Sequence, residues 1–272
     1  MTRIARYRLN PRAWRRDLKL RIAVLADFHA CWPWMTPARI ARICGEANAL
    51  APDLTLLLGD YVEGMKRLAR PVKPADWAAA IAALEASLGV HAILGIHDWW
   101  EDETGQATLE GPILARRALE AVGIPVYEND AVRLDWRGEK FWLAGVADQR
   151  PLRSGDRGNL YEGPKLDDLS GTLAKVSDAA PVILMAHEPD IFPEVPDRVA
   201  LTLAGHTHAG QFRFFGFTRW TSSRYGDRFG YGHVNEGGRD LIVSAGLGNS
   251  VLPFRIGAPP EIVLVELGGG NG

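Results

Sequence analysis

Leu203–Ala204–Gly205–His206–Thr207–His208–Ala209–Gly210–Gln211 is the stretch from which the rest of the chain can be read. An apolar run from Val199 to Ala204 stops at a glycine followed by two histidines one residue apart. A continuous apolar run of this length reads as a strand buried on both faces, as in sheets covered by helices. His–x–His in the turn after such a strand lets two imidazoles reach neighbouring positions, which is how two metal ions can share one loop. Imidazole is the commonest neutral metal ligand near physiological pH. Taken alone, the stretch also reads as a pair of packing or surface histidines.

Four other places repeat the pattern. Leu20 to Ala26 ends at Asp27–Phe28–His29, Leu54 to Leu58 at Gly59–Asp60–Tyr61, Val90 to Leu94 at Gly95–Ile96–His97–Asp98, and Pro181 to Ala186 at His187–Glu188–Pro189. Asp–x–His puts a carboxylate and an imidazole on the same side, because side chains alternate along an extended backbone. Five of the seven histidines therefore stand just beyond apolar runs, together with Asp27 and Asp60. Strand C-termini are where sites assemble in open α/β sheets, so the set reads as a metal site. Helices are expected over Thr36 to Leu50, with Pro37 in the first turn, over Pro74 to Leu88 and over Gly111 to Val122. Val132 to Trp136 and Lys140 to Val146 read as a β-hairpin joined by Arg137–Gly138–Glu139. Arg150 to Gly163 reads as a long polar loop. Asp240 to Ser244 and Glu261 to Leu267 read as further strands.

The 272 residues are 47% hydrophobic and 24% charged, an ordinary globular composition. The spread of the motifs argues for one domain over residues 21–267, preceded by a basic arm over 1–20 and followed by a flexible tail over 268–272. A net charge of −2 gives no footprint for nucleic acid, which is not expected as a partner. Cys31 and Cys44 cannot build a disulfide framework and fit a reducing, cytoplasmic setting. Cys31 reads as a buried thiol or, two residues after His29, as a thiolate ligand. Up to the first expected strand, Arg3, Arg6, Arg8, Arg12, Arg15, Arg16 and Lys19 of the arm, with Arg21 just beyond it, face one acid, Asp17. Such an arm reads either as solvated chain or as a contact with anionic lipid at the periphery of the inner membrane.

These residues, in this order, resemble the calcineurin-like metallophosphoesterases, whose pattern is D-x-H, G-D, G-N-H-D/E, a lone H and G-H-x-H. The resemblance covers about Arg21 to Leu267. With Gly246–Leu247–Gly248–Asn249–Ser250, it leans toward a bacterial subgroup similar to the YkuE and YaeI proteins. It implies an α/β metallophosphoesterase sandwich of two mixed β-sheets flanked by helices, and two divalent metal ions, Mn, Fe or Zn. It assigns Asp27, His29, Asp60 and His208 to one metal, and Asp60, His187 and His206 to the other. His97 would then protonate or stabilise the leaving oxygen, with Asp98 either orienting it or serving as a turn residue.

The departure is Ile96, where the family has an Asn that helps bind the second metal. An isoleucine has neither donor nor acceptor, so a weakened second site and a reduced rate are expected. Two readings follow: a phosphoester hydrolase, most simply a phosphodiesterase, or a metal-binding protein of the same fold with impaired catalysis. Aromatics crowd the motif flanks, with Trp32 and Trp34, Trp99 and Trp100, and Phe212, Phe214, Phe215, Phe217 and Trp220. They read either as ordinary core packing or as an apolar rim, which would suit a lipid-linked phosphodiester or pyrophosphate, such as the UDP-diacylglucosamine hydrolysed by related family members. Trp32, Trp99 and Arg213 are the leading substrate-binding candidates, with Arg150, Arg153, Arg157, Arg219 and Arg224 as further phosphate clamps.

Overall fold

Apolar runs without polar alternation need cover on both faces, and two stacked sheets provide it. The computed structural model describes residues 2–65, 68–152, 165–214, 217–218, 221–250 and 252–269. The strands are β1 (Arg3–Leu9), β2 (Leu20–Leu25), β3 (Cys31–Trp32), β4 (Leu54–Leu58), β5 (Arg70–Pro71), β6 (Val90–Ile93), β7 (Asp130–Trp136) and β8 (Glu139–Gly145). They continue with β9 (Val182–Met185), β10 (Val199–Ala204), β11 (Arg213–Phe214), β12 (Phe217–Thr218), β13 (Gly232–Glu236), β14 (Arg239–Val243) and β15 (Glu261–Leu267). The helices are α1 (Pro37–Asn48), α2 (Pro74–Ile81), α3 (Ile96–Trp100), α4 (Glu103–Thr108), α5 (Leu114–Ala121) and α6 (Leu169–Ala174).

One sheet has five strands in the order β1-β15-β2-β4-β6, and the other has six in the order β13-β14-β10-β9-β8-β7. Both are mixed: β2, β4 and β6 run parallel, as do β8, β9, β10 and β14, while β2–β15, β7–β8 and β13–β14 are antiparallel. Ile22, Val24, Leu56, Val263 and Val265 from the first sheet meet Phe141, Leu143, Ile183, Leu201 and Leu203 from the second. The opposite face of the first sheet, with Leu25 and Leu57, lies under Ile40 and Ile43 of α1, Trp77 of α2 and Leu119 of α5. The expected sandwich of two mixed sheets flanked by helices is what the chain forms. No helix among the described residues is long and apolar enough to cross a membrane.

Several boundaries shift for local reasons. Thr36 caps α1 by accepting from Arg39 N–H, so the helix starts at Pro37. The helix expected to reach Leu88 stops at Ile81. Beyond it, the Asn48 side chain donates to Ala83 C=O and accepts from Glu85 N–H, turning the chain toward β6. The hairpin turn is Arg137–Gly138, with φ of 58° and 86°, the left-handed pair that suits a two-residue connection.

The basic arm is a correction. Arg3–Leu9 is an edge strand paired in parallel with β15, and Trp14 and Leu18 are buried in the inter-sheet core. The Trp14 ring meets Phe141 edge-on at 5.6 Å, and its Nε1 donates to Leu18 C=O at 2.8 Å. The density of arginine hid an alternation in which Ala5 packs inward while Arg6 and Arg8 face out. β1, Trp14 and Leu18 are thus packed into the sandwich. Of the expected tail, Gly268 and Gly269 donate to Leu9 C=O and Arg16 C=O; residues 270–272 lie outside the described residues.

Candidate metal centre

The parallel strands β2, β4, β6, β9 and β10 deliver their C-terminal loops to one edge of the sandwich. Lateral backbone hydrogen bonds tie the loops together: Asp27 N–H to Gly59 C=O, His29 N–H to Asp60 C=O and Gly205 N–H to His187 C=O, each at 3.0 Å. Asp27, His29, Asp60, His206 and His208 all have positive φ, between 47° and 67°. Each such non-glycine conformation costs about 1–2 kcal/mol, and strain of this kind collects at functional sites. The loops also pass too close for side chains at two glycines. A Cβ on Gly59, whose φ is +90°, would lie 2.5 Å from Gly95 N, and one on Gly95 would lie 2.5 Å from Asp60 Oδ1.

Two donor sets result, each with ligand atoms within 4.8 Å of one another: Asp27, His29, Asp60 and His208, and Asp60, His187 and His206. Asp60 belongs to both. His29 Nε2 stands 3.0 Å from His208 Nε2 and 3.6 Å from Asp60 Oδ2. His187 Nε2 lies 3.3 Å from Asp60 Oδ2, and His208 Nε2 lies 3.7 Å from Asp27 Oδ1. The outer nitrogens of two rings are fixed by carbonyls: His29 Nδ1–H donates to Val62 C=O at 3.0 Å and His187 Nδ1–H to Leu58 C=O at 2.7 Å. That leaves both Nε2 lone pairs facing inward, the orientation that ligating histidines take from such partners. His187 Nε2 and His206 Nδ1 are buried polar atoms without a hydrogen-bond partner. Inward lone pairs, orphaned nitrogens and a shared carboxylate fit divalent cations.

The electrostatics of three of the rings agree. Burial pushes His29 down to about 3. It also carries His206 and His208 well below their usual range, helped by Arg150 and Arg255 respectively. Burial acts the same way on His187, but the Asp60 carboxylate outweighs it and raises that ring. Burial raises Asp27 to about 7, against the opposing pull of His187. Cations bind neutral imidazoles and ionised carboxylates, and three of the four rings are already held neutral.

His97 sits beside both sets. Its N–H donates to Asp60 Oδ1 at 2.8 Å, and its ring meets those of His29 and Trp100 edge-on at 5.0 and 5.5 Å. Asp98 faces away. Its oxygens accept from Asp60, Tyr61, Val62 and Gly95 N–H at 2.9–3.2 Å. A carboxylate committed to four amides holds the Asp60 loop in place, which fits the reading of Asp98 as a turn residue. Ile96 is 3% exposed and lines the cavity wall with Asp60 and His97.

A cavity of about 590 Å³ opens over these residues, lined also by Trp100, Arg150, Gln211, Phe212, Ser222 and Ser250. The three leading substrate-binding candidates are elsewhere. Trp99 is 2% exposed in the core under α5, because neighbouring residues on a helix point about 100° apart and its partner Trp100 takes the cavity side. Trp32 pairs with Arg70 on the β3–β5 ribbon, in a separate surface dip with Lys73 and Asp76. Arg213 lies 4.6 Å over the Tyr231 ring, lining a smaller cavity with Arg3. Arg224 is drawn to Asp190. Arg153, Arg157, Phe215, Arg219, Trp220 and the side chains of Phe214 and Phe217 lie outside the described residues. Cys31 is a buried free thiol outside both donor sets.

Sequence reasoning missed Arg255. Its guanidinium donates to His208 Nδ1 at 2.8 Å and to the carbonyls of Gly248, Ala245 and Ala258. A lone arginine in a Gly/Pro-rich loop has no spacing to mark it. Gln211, by contrast, was legible as the end of the histidine loop. Its amide donates to Leu252 C=O and Phe254 C=O, and its Oε1 accepts from Ser250 N–H at 3.1 Å.

The profile of calcineurin-like phosphoesterases matches residues 20–210. An uncharacterized metallophosphoesterase of Aquifex aeolicus is 29% identical over 269 residues, covering 98% of this chain and 92% of that protein. The uncharacterized metallophosphoesterase YkuE of Bacillus subtilis is 30% identical over 224 residues, covering 81% and 69%. A transmembrane protein with a metallophosphoesterase domain from Danio rerio is 29% identical over 259 residues, covering 91% of this chain and 53% of that protein. With all five motifs gathered at one edge of the sandwich, the chain belongs to the calcineurin-like phosphoesterase family, whose members hydrolyse phosphoester bonds with divalent metals.

Proposed function

We propose that the chain hydrolyses a phosphodiester with a large apolar part at a centre of two divalent cations. The observation that supports this most is the membership of Asp60 in both donor sets, beneath a cavity that also exposes His97. Asp27, His29, Asp60 and His208 would hold one cation and Asp60, His187 and His206 the other, a donor chemistry suited to Mn, Fe or Zn. When bound, the pair supplies Lewis acidity that lowers the pKa of water and offsets phosphoryl charge. The remaining steps fall to the chain. Val62 and Leu58 carbonyls keep His29 and His187 in the ligating tautomer. His97 would give a proton to the departing oxygen or stabilise its charge.

Trp100, Phe212 and Ile96 make the cavity walls apolar, and Phe254 packs edge-on against Phe212 at 5.5 Å while remaining 51% exposed. Such a rim favours a lipid-linked phosphodiester or pyrophosphate, of which UDP-diacylglucosamine is one example. Peripheral contact with an anionic membrane would rest on exposed Arg6, Arg12 and Arg16, since Arg8 is paired with Glu266 and Arg15 with Asp17 and Glu139.

The test is hydrolysis of bis-p-nitrophenyl phosphate with added Mn²⁺, for the wild type and His97→Ala. The expected result is Mn²⁺-dependent turnover that falls about 100-fold in the variant with its manganese content unchanged. A wild type inert with Mn²⁺, Fe²⁺ and Zn²⁺ would leave the second reading, a metal-binding protein with impaired catalysis, which Ile96 favours.

A further inference from the structure

The short helix α3 carries His97 and an apolar wall together. Ile96 and Trp100 are its first and last residues, four apart, so their side chains share one face of the helix. Both line the cavity with His97. The Trp100 ring meets the His97 ring edge-on at 5.5 Å. Its Nε1 donates to Arg150 C=O at 3.0 Å, which restrains the indole in that position. Apart from Phe212 and Gly210, the rest of the lining among the described residues is polar.

That juxtaposition gives the cavity a side. In the proposed hydrolysis, water adds to phosphorus while the P–O bond to the departing alcohol breaks. The departing oxygen takes a proton from His97, the water's proton restores the imidazole, and the products are a phosphomonoester and an alcohol. Proton transfer needs that oxygen within about 3 Å of the His97 ring. The first carbons bonded to it then stand about 4 Å from the ring, within reach of an indole whose centre is 5.5 Å from that of His97. The ester that stays on phosphorus has no such tie to α3.

We propose that Ile96 and Trp100 form the leaving-group subsite of this centre: the large apolar part of the substrate is the alcohol that departs beside His97, not the ester that remains on phosphorus. The inference deepens the proposed hydrolysis and rests on it. Both residues touch substrate and set specificity, and neither takes part in the proton transfer. An indole offers a large, rigid contact area, and Ile96 extends it along the same face of α3. Ile96, which gives the second donor set nothing, is on this account a substrate contact.

The test compares two diesters that release the same p-nitrophenol, methyl p-nitrophenyl phosphate and bis-p-nitrophenyl phosphate, which differ in the ester left behind. In the manganese-loaded protein, Trp100→Ala should lower kcat/KM at least about tenfold, the scale of a lost apolar pocket contact, and by the same factor for both diesters. Ile96→Ala should show a smaller fall, again equal for the two, and it carries the test if Trp100→Ala does not fold. Trp100→Phe keeps an aromatic wall without the indole N–H and should stay within about threefold of the wild type, with manganese content unchanged in all three variants. A fall confined to the bis ester would overturn the proposal, because the wall would then hold the ester that stays. So would the absence of any fall, a loss of manganese, or a loss in Trp100→Phe as large as in Trp100→Ala, which would make Trp100 a support for the Arg150 backbone. If the wild type cleaves neither diester with Mn²⁺, Fe²⁺ or Zn²⁺, the functional reading falls and this inference with it. If it cleaves both and the falls are unequal or absent, only the inference falls.

Discussion

At the residue scale, the centre depends on side chains whose neighbours leave them one orientation. Asp98 accepts from four amides of the Asp60 and Gly95 loops, so Asp98→Asn would turn an NH₂ group onto donors. We expect a loss of about 2–3 kcal/mol in chemical denaturation, from amides left buried without an acceptor. Stability within 0.5 kcal/mol of the wild type would show that the carboxylate does not hold the loops. Ile96 lines the wall beside Asp60 and gives the second donor set nothing. Ile96→Asn should therefore tighten the second manganese ion about tenfold, the scale on which one added contact of about 1.4 kcal/mol acts; calorimetric titration reads it, and an unchanged affinity would mean that the set closes without the amide. The six metal-ligand candidates were legible because apolar runs end at them. Trp100 was passed over for Trp99 because composition does not say which of two adjacent tryptophans faces the cavity.

At the element scale, strands that end in ligands could be read directly, since their apolar runs need both faces covered. β1 could not, because its outward arginines dominate a seven-residue segment in which Ala5 alone is fully buried. The same first segment carries Trp14, 4% exposed against Phe141. Trp14→Ala should cost about 3–5 kcal/mol, the usual range for emptying a buried aromatic site. A solvated arm would lose almost nothing, so the urea midpoint distinguishes the two. On α1, burial pushes the Cys44 thiol up to about 12, which leaves almost no thiolate at pH 8. Ellman's reagent should leave it unmodified in the native protein and react with it after unfolding; rapid native labelling at Cys44 would contradict the packing of α1 on the sheet.

At the scale of the whole molecule, five loops from two sheets meet at one edge, so the centre itself cross-links the sandwich. Cations that bind the folded chain stabilise it by about 2.7 kcal/mol at a hundredfold excess over Kd. Chelation should lower the Tm by several degrees, and manganese should restore it. The fold was legible because spacing and strand ends agree along almost the entire chain. Arg255 and the seat of Arg150 were not, because they depend on loops that approach one another only in three dimensions. The central claim is that Asp60 serves two cations at once. The direct measurement is the electron paramagnetic resonance spectrum of the manganese-saturated protein. An exchange-coupled pair signal, reduced to an isolated six-line spectrum by His187→Ala, is the expected result; an isolated six-line spectrum in the wild type at saturation would contradict it.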